Sequence, residues 1–305
     1  MKLLHDIEVV GLGQASLDFL GITSSFPREN EKSELQNVEI QCGGPASTAM
    51  VTLARLGIRT SFLGSISDDF FGREIVKGLQ KEGVDFSLLT IRPGHTSQFA
   101  FIAISPQNGN RTIFWHRGSV PPLKREEIAL GYFPRARILH VDGLMIEAAI
   151  EAARQARKMG WKIVMDAGTL RQGSPDLIRF VDIVVASEGF ASALVGPGAP
   201  MEKALEAFME MGAGKAVITL GAQGSVGCEN GKIIFQRSYP VMAVDTTGAG
   251  DVYHGAYIYG VLQHWDMAAC MRFASAVAAM KCRRIGARDG IPRLEEVWSF
   301  IEDQQ

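Results

Sequence analysis

Little cysteine, almost no net charge and no long apolar run characterise this chain, and each scarcity excludes something. Cys42, Cys228, Cys270 and Cys282 are its four cysteines, widely scattered and without a C-x-x-C pair. Neither a zinc site nor a dithiol redox motif is indicated, and a reduced, cytoplasmic setting is expected. The formal charge of −2 leaves no basic surplus, which argues against nucleic acid or an anionic membrane as principal partner and favours small molecules. No apolar stretch reaches membrane-spanning length, and Asp6 and Glu8 sit where a signal peptide needs apolar residues. The six histidines form no metal-spaced cluster. Neither a Walker loop nor the His-Arg-Asp and Asp-Phe-Gly set of protein kinases occurs, and His116-Arg117-Gly118 is not such a loop. Internal repeats, low-complexity tracts and long linkers are also absent.

What is present is an alternation. Apolar runs at 7–13, 60–66, 137–141, 162–166, 182–186 and 215–220 read as buried strands. Helical spacing of apolar residues marks 45–56, 71–82, 147–159, 201–211, 250–264, 267–282 and 293–303. That rhythm predicts a mainly parallel sheet covered by helices, an α/β fold, within one domain over 1–305. Two segments, about 19–42 and 95–118, break it. In the second, runs at 98–105 and 111–116 flank Asn108-Gly109, a hairpin signal, so a small separate sheet is expected beside the main one. Glu229-Asn230-Gly231-Lys232 signals another hairpin, read as structural.

The run Asp245-Thr246-Thr247-Gly248-Ala249-Gly250-Asp251 precedes a predicted helix. Small residues leave the backbone N–H groups of 248–251 uncovered at a helix start, where unpaired donors and the positive dipole end favour an anion. Asp251 would repel a phosphate seated there, so it makes sense as a base on an attacking hydroxyl. Taken alone, a tight turn with a helix cap explains the same residues. With its flanks, however, the motif resembles the carboxyl-terminal signature of the PfkB or ribokinase family of sugar and nucleoside kinases, and the resemblance spans nearly the whole chain. It implies a three-layer α/β/α fold whose small β-sheet is a lid, ATP with Mg2+ as cofactors, Asp251 as the base, and Gly248, Ala249 and Gly250 as the anion hole. Lid strands with open edges, together with family habit, imply a homodimer.

Other segments carry the same resemblance. Gly11-Leu12-Gly13-Gln14-Ala15-Ser16-Leu17-Asp18 is half of a dinucleotide fingerprint, lacking the third glycine and a clean helix. The resemblance instead makes Gly13 a site of close sugar approach and Asp18 an acceptor for sugar hydroxyls. Gly43-Gly44-Pro45-Ala46-Ser47-Thr48-Ala49 resembles the amino-terminal signature, whose glycines lie under the sugar; Thr48 stands where the family usually has Asn. In 64–72, which follows a related family pattern and reads as scaffold, Asp69 is a weaker ligand candidate. On the nucleotide side, Thr219, Gly221 and Gly224 match a Thr-x-Gly-x-x-Gly segment. Ala278 and Cys282 lie on a small-residue helix face for adenine that helix packing explains equally well. Asp245, Thr247 and the loop around Gly286 match positions where relatives hold a monovalent cation such as K+. Where the family has Asn-x-x-Glu near magnesium, this chain has Ser187-Glu188-Gly189-Phe190, so Glu188 is the candidate by a one-step shift, acting through water, or else a solvated helix-start acid.

The leading expectation is ATP-dependent phosphorylation of a sugar hydroxyl. The wording of Gly43–Ala49 and of 273–282 is most similar to bacterial fructose-type kinases, sulfofructose kinases included, and Arg28, Lys32, Arg111 and Arg117 are available to an anionic sugar. A nucleoside kinase of the same fold is one alternative, with Phe99, Phe101 and Trp115 as a base pocket or equally as lid core. A non-catalytic sugar-binding or regulatory protein is another. His254 reads as a packing residue, and His95 and His116 as lid residues.

Overall fold

The computed structural model describes residues 3–107 and 109–304; Asn108, in the expected hairpin turn, lies outside them. In chain order the elements are β1 (Val9–Leu12), β2 (Ser16–Ile22), β3 (Asn37–Gly43), α1 (Pro45–Arg55), β4 (Thr60–Leu63), β5 (Ser65–Ile66), α2 (Phe70–Lys81) and β6 (Thr90–Ile91). There follow β7 (Phe99–Ile104), β8 (Arg111–His116), β9 (Ile138–Val141), α3 (Ile146–Lys158), β10 (Lys162–Ala167), α4 (Ser174–Ile178), β11 (Ile183–Ser187) and α5 (Glu188–Val195). The chain ends with α6 (Met201–Glu210), β12 (Lys215–Thr219), β13 (Ser225–Glu229), β14 (Lys232–Gln236), α7 (Ala249–Leu262), α8 (Met267–Lys281) and α9 (Leu294–Asp303).

The main sheet runs β14-β13-β12-β11-β10-β9-β1-β4. Its pairs from β4 through β12 are parallel, and the β13–β14 hairpin adds antiparallel strands at one edge. Strand residues alternate between two cores, which explains why these runs are apolar throughout. Leu139, Ile163 and Val184 point to a core with α3, α4, α5 and α6. Ile138, Val164 and Val185 point to one with α1, α2, α7, α8 and α9. The result is a three-layer α/β/α fold.

Two local choices set helix starts near the site, and a third sets a helix contact. Asp69 caps α2 by accepting from Gly72 N at 2.8 Å and also holds Ser97 N and Oγ; both its oxygens are used there, which makes it scaffold. Ser187 caps α5 by accepting from Phe190 N at 3.0 Å. Helix α7 is buried nearly all round and packs between α1 and α8, as an apolar helix without a polar face must. At its contact with α1, a Cβ on Gly255 would lie 2.7 Å from Ala49 O, so glycine permits the close approach.

The segments that break the rhythm form the second sheet, β3-β2-β7-β8. Leu20, Ala100, Ile102 and Ile104 line its buried inner face. The expected strand over 60–66 is split at Gly64 into β4 and β5. Helices α4 and α5 were not apparent from sequence; each is short and carries less than three turns of pattern.

Candidate active site

The parallel strands end along one edge of the sheet, and the sequence-predicted site residues are distributed along it. Chain order reverses between β1, which pairs with β4 on one side, and β9 on the other, the kind of crevice where open α/β sheets bind ligands. Gly13 and Asp142 follow the paired ends Leu12 and Val141. They are so close that a Cβ on Gly13 would sit 2.0 Å from Asp142 Oδ2. Gly43 stands likewise against Asp18, its absent Cβ 2.0 Å from Oδ2. Asp18 Oδ1 accepts from Ser16 Oγ at 2.7 Å. Gly44 has φ +92° and meets the Gln14 backbone, a conformation and a contact that a side chain would spoil. Thr48 lies one helical turn deeper and is fully buried, its hydroxyl without a partner among the described residues. It sits beneath the glycine shelf and not on its surface.

Above α7, the motif loop is knitted together by Asp245. Its Oδ1 accepts from Thr247 N and Oγ1 at 2.8 and 2.7 Å, and its Oδ2 from Gly286 N at 2.7 Å. Gly248 caps α7 at φ +73°. One expectation needs correcting here. The N–H of Ala249 donates to Thr246 O at 3.2 Å, because left-handed Gly248 closes a turn over 246–249. The N–H groups of Gly248, Gly250 and Asp251 have no such partner among the described residues, so these three, without Ala249, are left open to an anion. The lid reaches this loop: Arg111 Nη1 donates to Thr246 Oγ1 at 2.8 Å, and Thr246 N donates to Gly109 O at 3.3 Å.

Four acids cluster here. Asp251, in the first turn of α7 and half-buried, is pushed up by burial and drawn back by His254, Arg111, Lys281 and Arg288. Burial pushes Asp18 and Asp142 each up to about 6, and the charge of Asp251 adds to both. Asp166 is raised by burial against the pull of His254. His254 Nδ1 faces Gly250 O at 2.5 Å, while Nε2 faces Val185 O at 3.1 Å and Asp166 Oδ1 at 3.5 Å. Both ring nitrogens of His254 therefore face acceptor oxygens, which orients the ring between α7 and the end of β11. His140, fully buried 6.1 Å from the His254 ring, is pushed down to about 3 by burial and that neighbour.

The nucleotide-side candidates are spread more widely. Thr219 ends β12 and donates to Ala186 O at 3.3 Å. Gly221 is exposed with φ +56° and open space where a Cβ would be, so its backbone is accessible. Gly224 is buried, and its missing Cβ would lie 2.0 Å from Gln236 O; that glycine serves β14, which removes it from the accessible surface. Ala278 is half-buried on α8, and Cys282 is buried just beyond its end. Glu188 is exposed at the start of α5, with no hydrogen bond or ion pair among the described residues, whereas Phe190 packs on Phe208 in the core. The aromatic candidates do not converge. Phe99 and Phe101 point outward from the lid, Phe99 stacking on Phe71 at 4.5 Å, and only Trp115 shares the face of Ala100. His116 stacks on Phe99 and His95 faces Ser119 Oγ, both away from the acids.

A model of the PfkB family of carbohydrate kinases matches residues 6–294. The chain belongs to that family. The ribokinase of Haemophilus influenzae is 28% identical over 301 residues, covering 95% of this chain and 97% of that protein. The 5-dehydro-2-deoxygluconokinase of Clostridium perfringens is 27% identical over 322 residues, covering 98% and 94%. A crystal structure of a putative ribokinase from Agrobacterium tumefaciens superposes with a TM-score of 0.88 at 27% identity, covering 98% of each chain. The fold of this PfkB kinase is therefore ribokinase-like, and its chemistry is phosphoryl transfer from ATP to a sugar hydroxyl. Sequence reasoning passed over Asp142, Asp166, Lys281 and Arg288 in it. Asp142 had a signal, a carboxylate directly after an apolar strand. Lys281 had one too, a lone charge ending an alanine-rich helix face.

Proposed function

We propose that this kinase phosphorylates a monosaccharide held on the shelf of Gly13, Gly43 and Gly44, with Asp18 accepting hydrogen bonds from sugar hydroxyls. One observation carries the reading: the Asp251 carboxylate stands in the same helical turn as the unbonded N–H groups of Gly248, Gly250 and Asp251. The sugar hydroxyl oxygen attacks the γ-phosphorus of ATP, the bond to the ADP oxygen breaks, and Asp251 takes the hydroxyl proton. The nest N–H groups donate to the phosphoryl oxygens as charge develops there, and Arg111 on the lid adds positive potential. The exposed, unpaired Glu188 fits a magnesium ion held through water. Such an ion, when bound, neutralises charge on the β and γ phosphate oxygens. The apolar inner face of Ala100 and Ile102 covers the sugar and excludes water. It also favours a sugar over a nucleoside, since Phe99 and Phe101 face away from it.

The outward side of the lid supports a homodimer. Ile40, Phe19, Phe101 and Phe114 are lateral neighbours across its four strands. Ile40, Phe101 and Phe114 are 53, 39 and 63% exposed, and β3 and β8 are open edges, a combination that invites pairing with a second copy. The unpaired cysteines support a cytoplasmic setting; no helix among the described residues is long and apolar enough to cross a membrane.

The test is ADP release with magnesium across ketoses, aldoses, acidic sugars and nucleosides, run beside Asp251→Asn. Turnover on a sugar should fall by about 10²–10⁴ in the variant while ATP binding persists. Undiminished turnover removes Asp251 as the base, and sugar binding without turnover in the wild type removes the kinase reading.

A further inference from the structure

Lys281, the last residue of α8, is completely buried. Its ammonium donates to the Asp245 carbonyl oxygen at 2.8 Å. No carboxylate lies within ion-pair distance of it among the described residues. A buried charge without such a partner is costly. A cation merely complementing the end of α8 would gain the same from an exposed position.

The surroundings show what the charge faces. Asp245 spends both carboxylate oxygens on Thr247 and Gly286. The Cys282 carbonyl accepts from Val244 N and Asp245 N at 2.8 and 3.2 Å. The carbonyl of Asp245, the remaining acceptor of that residue, receives the ammonium. The loop that shapes the anion nest is thus tied to the end of α8 through a single positive charge. That charge also helps hold Asp251 ionised, although burial pulls Lys281 itself below the ordinary lysine range.

The potassium ion expected at Asp245, Thr247 and the Gly286 loop does not fit these residues, because the Lys281 ammonium already sits on the Asp245 carbonyl and both carboxylate oxygens already accept hydrogen bonds. We propose that the Lys281 ammonium is a built-in monovalent cation: it positions the 245–251 turn, and turnover does not depend on potassium. Lys281 is a positioning residue, acting through Asp245 on the nest. The proposal rests on the kinase reading above, and its test separates the two.

Initial rates are compared in potassium chloride and in choline chloride at equal ionic strength. Wild-type rates should agree within about twofold; a stimulation by potassium of more than about fivefold overturns the proposal. Lys281→Met should lose at least about tenfold in choline and recover most of it in potassium or ammonium, because the small cation refills the vacated place. Retention of the full rate in choline, or a loss that no cation repairs, also overturns it. Melting temperatures give a readout without turnover: potassium should leave the wild type unchanged and raise Lys281→Met by several degrees. If no sugar is turned over, the kinase reading fails while the melting comparison still decides on Lys281. If Lys281→Met does not fold, the wild-type rates decide.

Discussion

Replacing Asp18 by Asn tests whether burial raises this carboxylate in the sugar-free enzyme. Asp18 is 6% exposed, with Ser16 Oγ as a side-chain donor, and burial lifts it from 3.8 to about 6. A displacement of roughly two pH units is worth about 3 kcal/mol between protonation states. Because the folded value is raised, this stabilisation is full below the unfolded value and is lost as pH rises through about 6. About half of it, roughly 1.4 kcal/mol, disappears between pH 5 and 8. For 305 residues, an unfolding entropy near 0.6 kcal/mol/K converts that into about 2 °C. Asp18→Asn cannot titrate, so its melting temperature should gain about 2 °C on the wild type between pH 5 and 8. The pH-independent effect of the altered Ser16 bond cancels in that difference. Sugar hydroxyls donating to the ionised carboxylate should restore what burial removes. The wild-type kcat/KM for sugar should therefore rise with pH through about 6, and Asp18→Asn should lack that limb and bind sugar at least about tenfold more weakly. Parallel melting curves for the two proteins across that range would refute the buried-charge argument.

Two further outcomes follow from geometry. Gly224→Ala forces a side chain into φ +102° and within 2.0 Å of the Gln236 carbonyl. Urea denaturation should show a loss of roughly 2–4 kcal/mol with an ATP KM within about twofold of wild type; unchanged stability would return Gly224 to the accessible nucleotide surface. Phe114→Glu places a charge on the apolar outer row of the lid, 63% exposed in one copy. Sedimentation velocity should then find monomers where the wild type is dimeric, and a monomeric wild type at tens of micromolar would remove the dimer.

Legibility in the sequence tracked distance along the chain. The βα rhythm survives in local periodicity, because each strand and helix must be apolar on the faces its own residues present, and so a mainly parallel sheet covered by helices was readable. The motif over 245–251 was readable as a turn, a helix start and a contiguous carboxylate, and its resemblance to the family signature separated it from a plain capped turn. The lid was legible only as an interruption. Its inner and outer faces both carry apolar residues, so alternation could not say that Phe99 and Phe101 face outward. The alternative of an aromatic base pocket loses Phe99 and Phe101 on that point.

What sequence could not deliver depends on partners far apart in the chain. Gly13 looked like a ligand-facing glycine, yet the tightest contact its missing side chain permits is with Asp142, brought beside it only by the β1–β9 pairing. The same holds for Gly43 with Asp18, and for Ala249, whose N–H is consumed by Thr246 once Gly248 turns left-handed. Lys281 is the strongest instance. In sequence it is a basic residue at a helix end, the commonest place for a solvated lysine, and only the packing of α8 against the 244–247 loop buries it on the Asp245 carbonyl. A family signature fixes the residues that touch the reactants. The charges that hold those residues in place arrive from elsewhere in the chain, and the proposed role of Lys281 is that of a positive charge brought by packing to the Asp245 carbonyl of the motif over 245–251.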